Sequence, residues 1–199
     1  MLPTQSLRKL FQNISLVPFE GTLYRVVRAD VLYGFTKAGP YVPRPLYNLG
    51  PPRGGARYTP RGGAPSIYLA CDMDTAMREY TQIPTPTPLE PVSPTGALVT
   101  YSAKVLLERV LDLSQKRVRK QLDTNLAELA EPWRYRKDRR KPPTHRLGAE
   151  ATDSGRVQAI IFRSTKGAGN CIVIFTGALV PPSFIEVNDP AGKLIERFP

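Results

Sequence analysis

The stretch from residue 55 to residue 79 constrains the fold of this chain more than any other. It begins with a glycine-rich loop that carries Arg57, continues into the short apolar run Ser66–Ala70, and ends on Glu79. An apolar run bounded by glycine and proline is typical of a β-strand. We therefore expect the order loop, strand, helix, which would bring Arg57, Tyr68 and Glu79 around one cleft.

A helix is predicted to follow this strand. Asp72 can accept hydrogen bonds from the free amides of a first helical turn. The apolar residues then recur at helical spacing and form a stripe that should face the core: Met73, Ala76, Met77 and Tyr80. Thr75 and Arg78 are expected on the opposite face, towards water. Glu79 lies at the border of the stripe, where it either points into the edge of a cleft or pairs with a nearby lysine or arginine.

The composition indicates a globular chain with an anionic partner. The 199 residues are enough for one domain with a core, and 41% of them are apolar. The formal charge of +11 and the isoelectric point near 9.9 favour the binding of an anion. Nucleic acid, a phosphate-bearing small molecule and an acidic protein all satisfy this requirement.

The sequence also limits the compartment and the kinds of chemistry. No signal peptide is expected because residues 1–16 lack a continuous apolar run, and no segment approaches the roughly 18 apolar residues of a membrane span. The cysteines and the histidine are too few for a zinc site or a Cys/His nucleophile pair: Cys71, Cys171 and His145. We therefore expect a cytoplasmic protein without a metal.

Strands dominate the rest of the chain. They are predicted at Thr22–Val27, at residues 96–105 and 110–113, at Val157–Phe162 and at Cys171–Phe175. The last two should be central strands, separated by a polar connection suited to a ligand. With a few helices between the strands, the predicted class is α+β.

One helix and two long loops are also predicted. The helix begins at Ser114 and ends at Pro132, with four apolar residues at helical spacing: Val118, Leu122, Leu126 and Leu129. Residues 39–65 and 82–94 are crowded with glycine or proline and should form extended loops.

An ordered set of motifs resembles the RES domain family, which is named for an arginine, a glutamate and a serine and includes toxins of bacterial toxin–antitoxin pairs. The matching segments are Tyr24-Arg25, residues 55–59, 66–70, 76–79 and 111–113, and Arg163-Ser164 with Asn170. They span residues 20–178, about the whole of one domain over 1–199. Two positions depart from the family pattern. Tyr58 replaces tryptophan, which keeps an aromatic ring, and Thr59 replaces asparagine, which loses an amide hydrogen bond.

The resemblance implies an ADP-ribosyltransferase-like fold, with a split mixed β-sheet core, flanking helices and long Gly/Pro-rich loops. NAD would bind in the cleft between the halves of the sheet as a substrate, and no prosthetic group is expected. The implied reaction cleaves the bond between nicotinamide and ribose, with phosphate as acceptor, in an NAD phosphorylase that acts as a toxin. With a protein side chain or water as acceptor, the same site would serve an ADP-ribosyltransferase or an NAD glycohydrolase.

The resemblance also assigns roles to individual residues. Catalytic roles fall on Arg57, Glu79 and Ser164, and the NAD-binding set is Tyr24, Arg25, Arg57, Tyr58, Tyr68, Glu79, Ser164 and Asn170. Glu79 would stabilise the positive charge that develops on the ribose. Tyr68 would stack on nicotinamide. Arg57, with Arg25 second, would hold phosphate oxygens in its guanidinium fork.

A basic nucleic-acid-binding module is the competing interpretation. Residues 133–146 are basic and contain Trp133 and Tyr135, which could stack on bases. No RNA-recognition, KH or helix-turn-helix pattern accompanies them, so a solvated basic face is favoured and nucleic acid is not the expected partner. Positive loops around the cleft could instead attract NAD, phosphate and an acidic antitoxin or immunity protein.

Overall fold

Seven strands and seven helices make up the part of the chain that the computed structural model describes, which is residues 1–33, 43–83, 97–134 and 141–199. The strands are β1 (Val17–Arg28), β2 (Ser66–Ala70), β3 (Leu98–Asp112), β4 (Ala159–Arg163), β5 (Asn170–Phe175), β6 (Phe184–Asn188) and β7 (Arg197–Phe198). The helices are α1 (Thr4–Asn13), α2 (Ala29–Tyr33), α3 (Gly50–Gly54), α4 (Met73–Thr81), α5 (Lys116–Gln121), α6 (Leu126–Ala130) and α7 (Pro143–Asp153), with a 3-10 turn at Thr176–Ala178. The class is α+β, as the sequence predicts.

The strands form one sheet in the order β1-β2-β5-β4-β3-β6-β7, with an additional pairing between β1 and β3. Within the described ranges, β3 and β4 run parallel and every other pair is antiparallel. The additional pairing closes a circuit of strands, β1-β2-β5-β4-β3. The circuit is weakest between β1 and β2, where the register contains a single pair, Tyr24 with Ala70. Beyond that pair the two strands diverge.

Two buried apolar clusters lie on opposite faces of the strands. Because side chains alternate along a strand, Ile67 and Leu69 of β2 join one cluster, whereas Tyr68 and Ala70 pack against the other. Burying a leucine or isoleucine side chain contributes about 1.5–3 kcal/mol, so both clusters hold the sheet together. The alternation places the ring of Tyr68 on the face that also carries Phe162.

The strand predictions are largely confirmed. Ser66–Ala70 is β2, and Thr22–Val27 lies inside β1. The two segments predicted as central strands form β4 and β5, which pair with each other in the middle of the sheet. The two segments predicted as separate strands share the single long strand β3, which contains residues 98–105 and 110–112 of them, because β1 pairs with it along almost its whole length.

The prediction of one helix from Ser114 to Pro132 is wrong. The structure has two short helices, α5 and α6, because Asp123 adopts a positive φ of 49° that an α-helix does not allow. Asn125 then caps α6 by accepting a hydrogen bond from the amide of Glu128 at 2.9 Å. Helix α6 therefore does not continue the direction of α5, and Leu126, which was predicted to belong to the apolar stripe, is 44% exposed.

The start of α4 is confirmed, and Ala76, Met77 and Tyr80 of the predicted stripe pack against the core, but three other positions on this helix were predicted wrongly. The side chain of Asp72 accepts a hydrogen bond from the amide of Thr75 at 2.7 Å. Thr75, expected in water, is 1% exposed because the amide of Gly169 in the β4–β5 turn donates to its hydroxyl at 3.1 Å. Arg78 is also shielded, with a side chain 11% exposed that pairs with Asp74. Met73, expected in the core, is 54% exposed.

Helix α7 was not predicted, and it supports the loop that carries Arg57. The backbone of Gly148 approaches that loop so closely that a Cβ at this position would lie 1.8 Å from the carbonyl oxygen of Tyr58. Glu150 is 6% exposed and binds Arg8 of α1 at 3.0 Å, which joins the two helices.

Parts of four predicted segments fall outside the described residues: 39–42 of the first long loop, 84–94 of the proline-rich connector, 96 of the strand predicted at 96–105, and 135–140 of the basic segment. Among the helices that the structure describes, none is long and apolar enough to cross a membrane.

Candidate active site

A cavity of about 230 Å³ opens where β1 and β2 diverge. Its lining brings together four of the residues predicted for the site, Tyr24, Arg25, Tyr68 and Glu79, together with Phe162 and Cys171. These residues come from β1, β2, α4, β4 and β5, so five elements of the fold meet at this point. Ser164 joins the lining residues through a hydrogen bond to Glu79, and Arg57 is linked to Glu79 only through Thr165.

The carboxylate of Glu79 is held by the turn between β4 and β5. The hydroxyl of Ser164 donates to Glu79 Oε1 at 2.5 Å, and the amide of Thr165 lies 3.3 Å from the same oxygen. Two donors therefore fix one carboxylate oxygen on a residue that borders the cavity. A carboxylate held in this way keeps its orientation beside any bound group.

The β4–β5 turn owes its shape to Ser164 and to glycines. The Ser164 oxygen accepts hydrogen bonds from the amides of Lys166 at 3.0 Å and Gly167 at 2.7 Å while its own proton goes to the glutamate. Gly169 has no room for a side chain, since a Cβ there would lie 2.0 Å from an oxygen of Asp72. The polar connection that the sequence indicates is therefore pressed against the start of α4.

Tyr68 faces the cavity with its ring and anchors its hydroxyl in the protein. The phenol oxygen accepts a hydrogen bond from the amide of Tyr58 at 2.9 Å and lies 2.9 Å from the hydroxyl of Thr59. Burial raises the pKa of the phenol, so the group stays neutral. The ring meets Phe162 edge to face at 6.4 Å. This arrangement leaves an uncharged aromatic surface on the wall of the cavity.

Arg57 lies close to the hydrogen-bonded group of Glu79, Ser164 and Thr165, but its guanidinium binds acceptors of the protein itself. Nη1 donates to the carbonyl of Leu129 at 2.9 Å and to that of Glu131 at 3.2 Å. Nη2 donates to the hydroxyl of Thr165 at 3.3 Å. Thr165 thus contacts both Arg57 and Glu79, and it connects the two predicted catalytic residues.

Arg25 borders the cavity from β1, on a different face from Tyr24. Its Nη1 donates to the carbonyl of Pro45 at 2.9 Å and lies 3.4 Å from the hydroxyl of Tyr101. Adjacent residues of a strand point to opposite faces, and Tyr24 packs against the same cluster as Tyr68. The two members of the Tyr-Arg pair therefore approach the cleft from different sides.

Two residues predicted to bind NAD lie apart from the cavity. Tyr58 is 1% exposed, and its ring packs against Phe162 with centroids 4.7 Å apart. Burial raises the pKa of its phenol. The side-chain oxygen of Asn170 accepts a long hydrogen bond of 3.5 Å from Arg163 on the exposed side of β5. Contacts of Tyr58 and Asn170 with a ligand stay a prediction.

Cys171 contributes an uncharged side chain to the lining of the cavity. Burial raises the pKa of its thiol, and the nearby charge of Glu79 acts in the same direction. A thiol that stays protonated is a poor nucleophile. Cys171 is therefore a small apolar group in the floor of the cavity, where Glu79 is the acidic residue of the lining.

Sequence reasoning missed Thr59 and Thr165, and it missed α7 behind them. Thr59 was noted only as a departure that loses an amide. The structure shows that its hydroxyl instead contacts Ser66 and Tyr68. The sequence contained a signal for these contacts, because side chains alternate along a strand and those of Ser66 and Tyr68 therefore lie on the same face of β2.

The comparisons with known proteins agree with this architecture. The sequence model of the RES domain matches residues 22–192. A structure described as the crystal structure of the M. tuberculosis MbcT-MbcA toxin-antitoxin complex is similar to this chain, with 17% identity and a TM-score of 0.67 over 93% of this chain and 90% of that chain. No curated protein matches the chain.

The structural likeness establishes a shared fold, and the sequence match covers well over half of the chain, including Tyr24, Glu79 and Ser164. The resemblance inferred from the motifs is thereby confirmed. This protein belongs to the RES domain family.

Proposed function

We propose that this protein is a toxin that cleaves the nicotinamide–ribose bond of NAD and transfers ADP-ribose to inorganic phosphate. One observation carries the proposal. A fixed carboxylate, Glu79, and an uncharged aromatic ring, Tyr68, line the same cavity. The first suits a developing positive charge, and the second suits a flat heteroaromatic group.

The chemistry of the bond explains why a carboxylate is needed and a general acid is not. When the bond between ribose C1″ and the pyridinium nitrogen breaks, its electron pair goes to the nitrogen, and nicotinamide leaves as a neutral molecule. The ribose carries the positive charge until a phosphate oxygen forms the new bond to C1″. The products are nicotinamide and ADP-ribose 1″-phosphate.

Glu79 is placed to stabilise that charge. Ser164 and Thr165 both donate to Oε1, and the other carboxylate oxygen receives no hydrogen bond from the described residues. Oε2 is thus available to a ribose hydroxyl or to the cationic carbon itself. Preorganised charges of this kind contribute on the order of a hundredfold or more in rate.

The size of the cavity is consistent with binding only part of the dinucleotide. Its volume of about 230 Å³ is below the roughly 300–1,000 Å³ of pockets that enclose a whole small-molecule ligand. The nicotinamide and its ribose would occupy it, with the ring against Tyr68. The pyrophosphate would lie towards Arg25 and Arg57, whose guanidinium groups would have to exchange some carbonyl contacts for phosphate oxygens.

Product analysis tests the proposal and identifies the acceptor. The purified protein is incubated with NAD, with and without inorganic phosphate, and the products are identified by mass. We expect nicotinamide release that depends on phosphate, with ADP-ribose 1″-phosphate as the second product. Free ADP-ribose would identify an NAD glycohydrolase, and a mass increase on a protein would identify an ADP-ribosyltransferase. No release of nicotinamide under any condition would refute the proposal.

An acidic antitoxin or immunity protein is the proposed partner. The similar crystal structure is described as a toxin-antitoxin complex. The formal charge of +11 on this chain favours an acidic partner through long-range attraction. Co-purification with the product of the neighbouring gene, and loss of that association at high salt, would support this assignment.

The nucleic-acid alternative finds less support. The ring of Trp133 lies against that of His145 at 5.7 Å, and the guanidinium of Arg134 covers it at 4.5 Å. Both contacts compete with a base for the surface of the ring. Retardation of single-stranded or duplex nucleic acid at low salt would favour this alternative.

A further inference from the structure

Thr59 joins two parts of the candidate site that the proposed function treats separately. Its hydroxyl lies 2.8 Å from Ser66 Oγ and 2.9 Å from Tyr68 Oη. Thr59 is 1% exposed and Ser66 is not exposed at all, so water does not compete for these contacts. Three hydroxyl groups therefore form a buried chain that ends on the aromatic ring of the cavity.

The backbone of Thr59 is fixed independently of that chain. The amide of Ala56 donates to the carbonyl of Thr59 at 2.7 Å, and the amide of Thr59 donates back to Ala56 at 3.1 Å. This pair of bonds closes a tight turn with Arg57 and Tyr58 at its tip. Because the turn is closed on itself, the Thr59 hydroxyl has a fixed position from which to hold another group.

That group is the phenol of Tyr68. The amide of Tyr58 and the hydroxyl of Thr59, which belong to the same turn, both contact the phenol oxygen at 2.9 Å. A ring held at its far end cannot swing about its side-chain bonds, so its face keeps one orientation towards the cavity. The same two contacts fix the turn, and with it Arg57, relative to β2.

We propose that Thr59 is a positioning residue. It orients the ring of Tyr68 for nicotinamide, and it holds the turn that carries Arg57 at a fixed position relative to that ring. The effect of Thr59 on catalysis rests on the proposed function, whereas its hydrogen bonds to Ser66 and Tyr68 do not depend on that function. Valine has nearly the shape of threonine without the hydroxyl, so Thr59→Val would remove a partner from two buried oxygens while keeping the packing.

A double-mutant cycle tests this role through NAD cleavage. We expect Thr59→Val to lower the kcat for nicotinamide release about tenfold with little change in KM, since one buried hydrogen bond is removed. Tyr68→Phe should cost a similar factor, and the double variant should lose no more than the worse single variant, because both changes break the same contact. Thr59→Ser, which restores the hydroxyl, should recover most of the rate.

Thr152→Val is the matched control, because the Thr152 hydroxyl bonds only to carbonyls of its own helix among the contacts seen. Activity of Thr59→Val equal to that of the control would overturn the inference. So would losses that multiply in the double variant, since they would mean that Thr59 acts independently of the Tyr68 oxygen.

A second measurement needs no NAD. Hydrogen exchange of the Tyr58 amide reports the bond to Tyr68 directly, and we expect it to be about tenfold faster in Thr59→Val than in Thr59→Ser. Exchange in the β4–β5 ladder should be the same in both. Thr59→Ala replaces the valine variant if the latter does not fold. An inactive wild-type protein would refute the proposed function alone, whereas unchanged Tyr58 exchange would refute the role of Thr59.

Discussion

The carboxylate side and the arginine side of the candidate site are built differently. Glu79 borders the cavity and receives two hydrogen bonds on one oxygen, at 2.5 Å and 3.3 Å. Arg57 and Arg25 instead direct guanidinium nitrogens to backbone carbonyls, at 2.9 Å in each case. On the first side the described residues donate to only one carboxylate oxygen, whereas on the second the donors already bind the protein.

The difference follows from the elements that carry the residues. Glu79 stands on a helix that is capped by Asp72 and covered by the β4–β5 turn, so its direction is fixed by regular structure. Arg57 stands at the tip of a turn, and its guanidinium donates to carbonyls at the end of α6. A helix end attracts a cation there, so the guanidinium serves stability. Under the proposed function it would bind phosphate only by exchanging these contacts.

The largest effect should come from the carboxylate. Glu79→Gln keeps the size of the side chain and removes its charge, so we expect the kcat for nicotinamide release to fall by about a hundredfold or more. The melting temperature should change little, because an amide oxygen can still accept from Ser164. Both quantities are measured on the same preparation.

Glu186→Gln provides the control for that change. Glu186 is half-buried, pairs with Arg197 at 3.0 Å and lies on β6, away from the cavity. Its loss should leave nicotinamide release intact. Full activity of Glu79→Gln would remove the carboxylate from the proposed mechanism and, with it, the contrast between the two sides of the site.

The arginine side should respond in stability as well as in rate. Arg57→Ala removes three hydrogen bonds, to the carbonyls of Leu129 and Glu131 and to Thr165, so we expect the free energy of unfolding to fall by about 2 kcal/mol. Nicotinamide release should also fall, with a weaker dependence on phosphate. Denaturant titration and phosphate titration separate the two effects.

Arg57→Lys sharpens that result, since it keeps the charge without the planar fork. Recovery of phosphate dependence without recovery of stability would assign the charge to the ligand and the fork to the carbonyls. An alanine variant as stable as the wild type would show that these carbonyl contacts contribute nothing.

An intermediate effect is expected at Ser164. Ser164→Ala removes the 2.5 Å bond to Glu79 and the acceptor for two turn amides, so the kcat should fall roughly tenfold. Ser154→Ala is the matched control, because it removes a hydroxyl at the end of α7 that donates to the carbonyl of Ala151 and accepts from the amide of Arg156, away from the cavity. Equal activities of the two variants would mean that Glu79 keeps its orientation without the serine.

Local sequence patterns predicted the regular elements that form the carboxylate side. The run Ser66–Ala70 is a strand, Asp72 caps the next helix, and β4 and β5 lie in the centre of the sheet. These features depend on neighbours in the sequence, so they can be derived from it. The motif order also identified Glu79 and Ser164, which the structure joins by a direct hydrogen bond.

Contacts between distant segments were not predictable in the same way. Thr75 was expected in water because its own helix places it opposite the apolar stripe, and it is buried only because the turn at residues 164–169 folds over it. Likewise, nothing near Arg57 in the sequence indicates the carbonyl of Leu129 as its partner. The break at Asp123, which separates α5 from α6, depends on a single positive φ that apolar periodicity does not report.

The smallest predicted effect concerns the support of the Arg57 turn by α7. Nε2 of His145 lies 2.9 Å from the carbonyl of Ala56, at the base of that turn, and burial lowers the pKa of the imidazole below its ordinary value of 6.5. The unfolded chain therefore takes up a proton at a higher pH than the folded protein does. The contribution of His145 to stability is complete above the unfolded pKa and is lost as the pH falls through the folded one. We expect the melting temperature to fall as the pH is lowered below about 6.5, and the fall to be smaller in His145→Gln, which can bind the same carbonyl without titrating. An equal fall in both proteins would show that protonation of His145 does not weaken the turn. The stability of the arginine side of the site would then depend on the contacts of Arg57 alone.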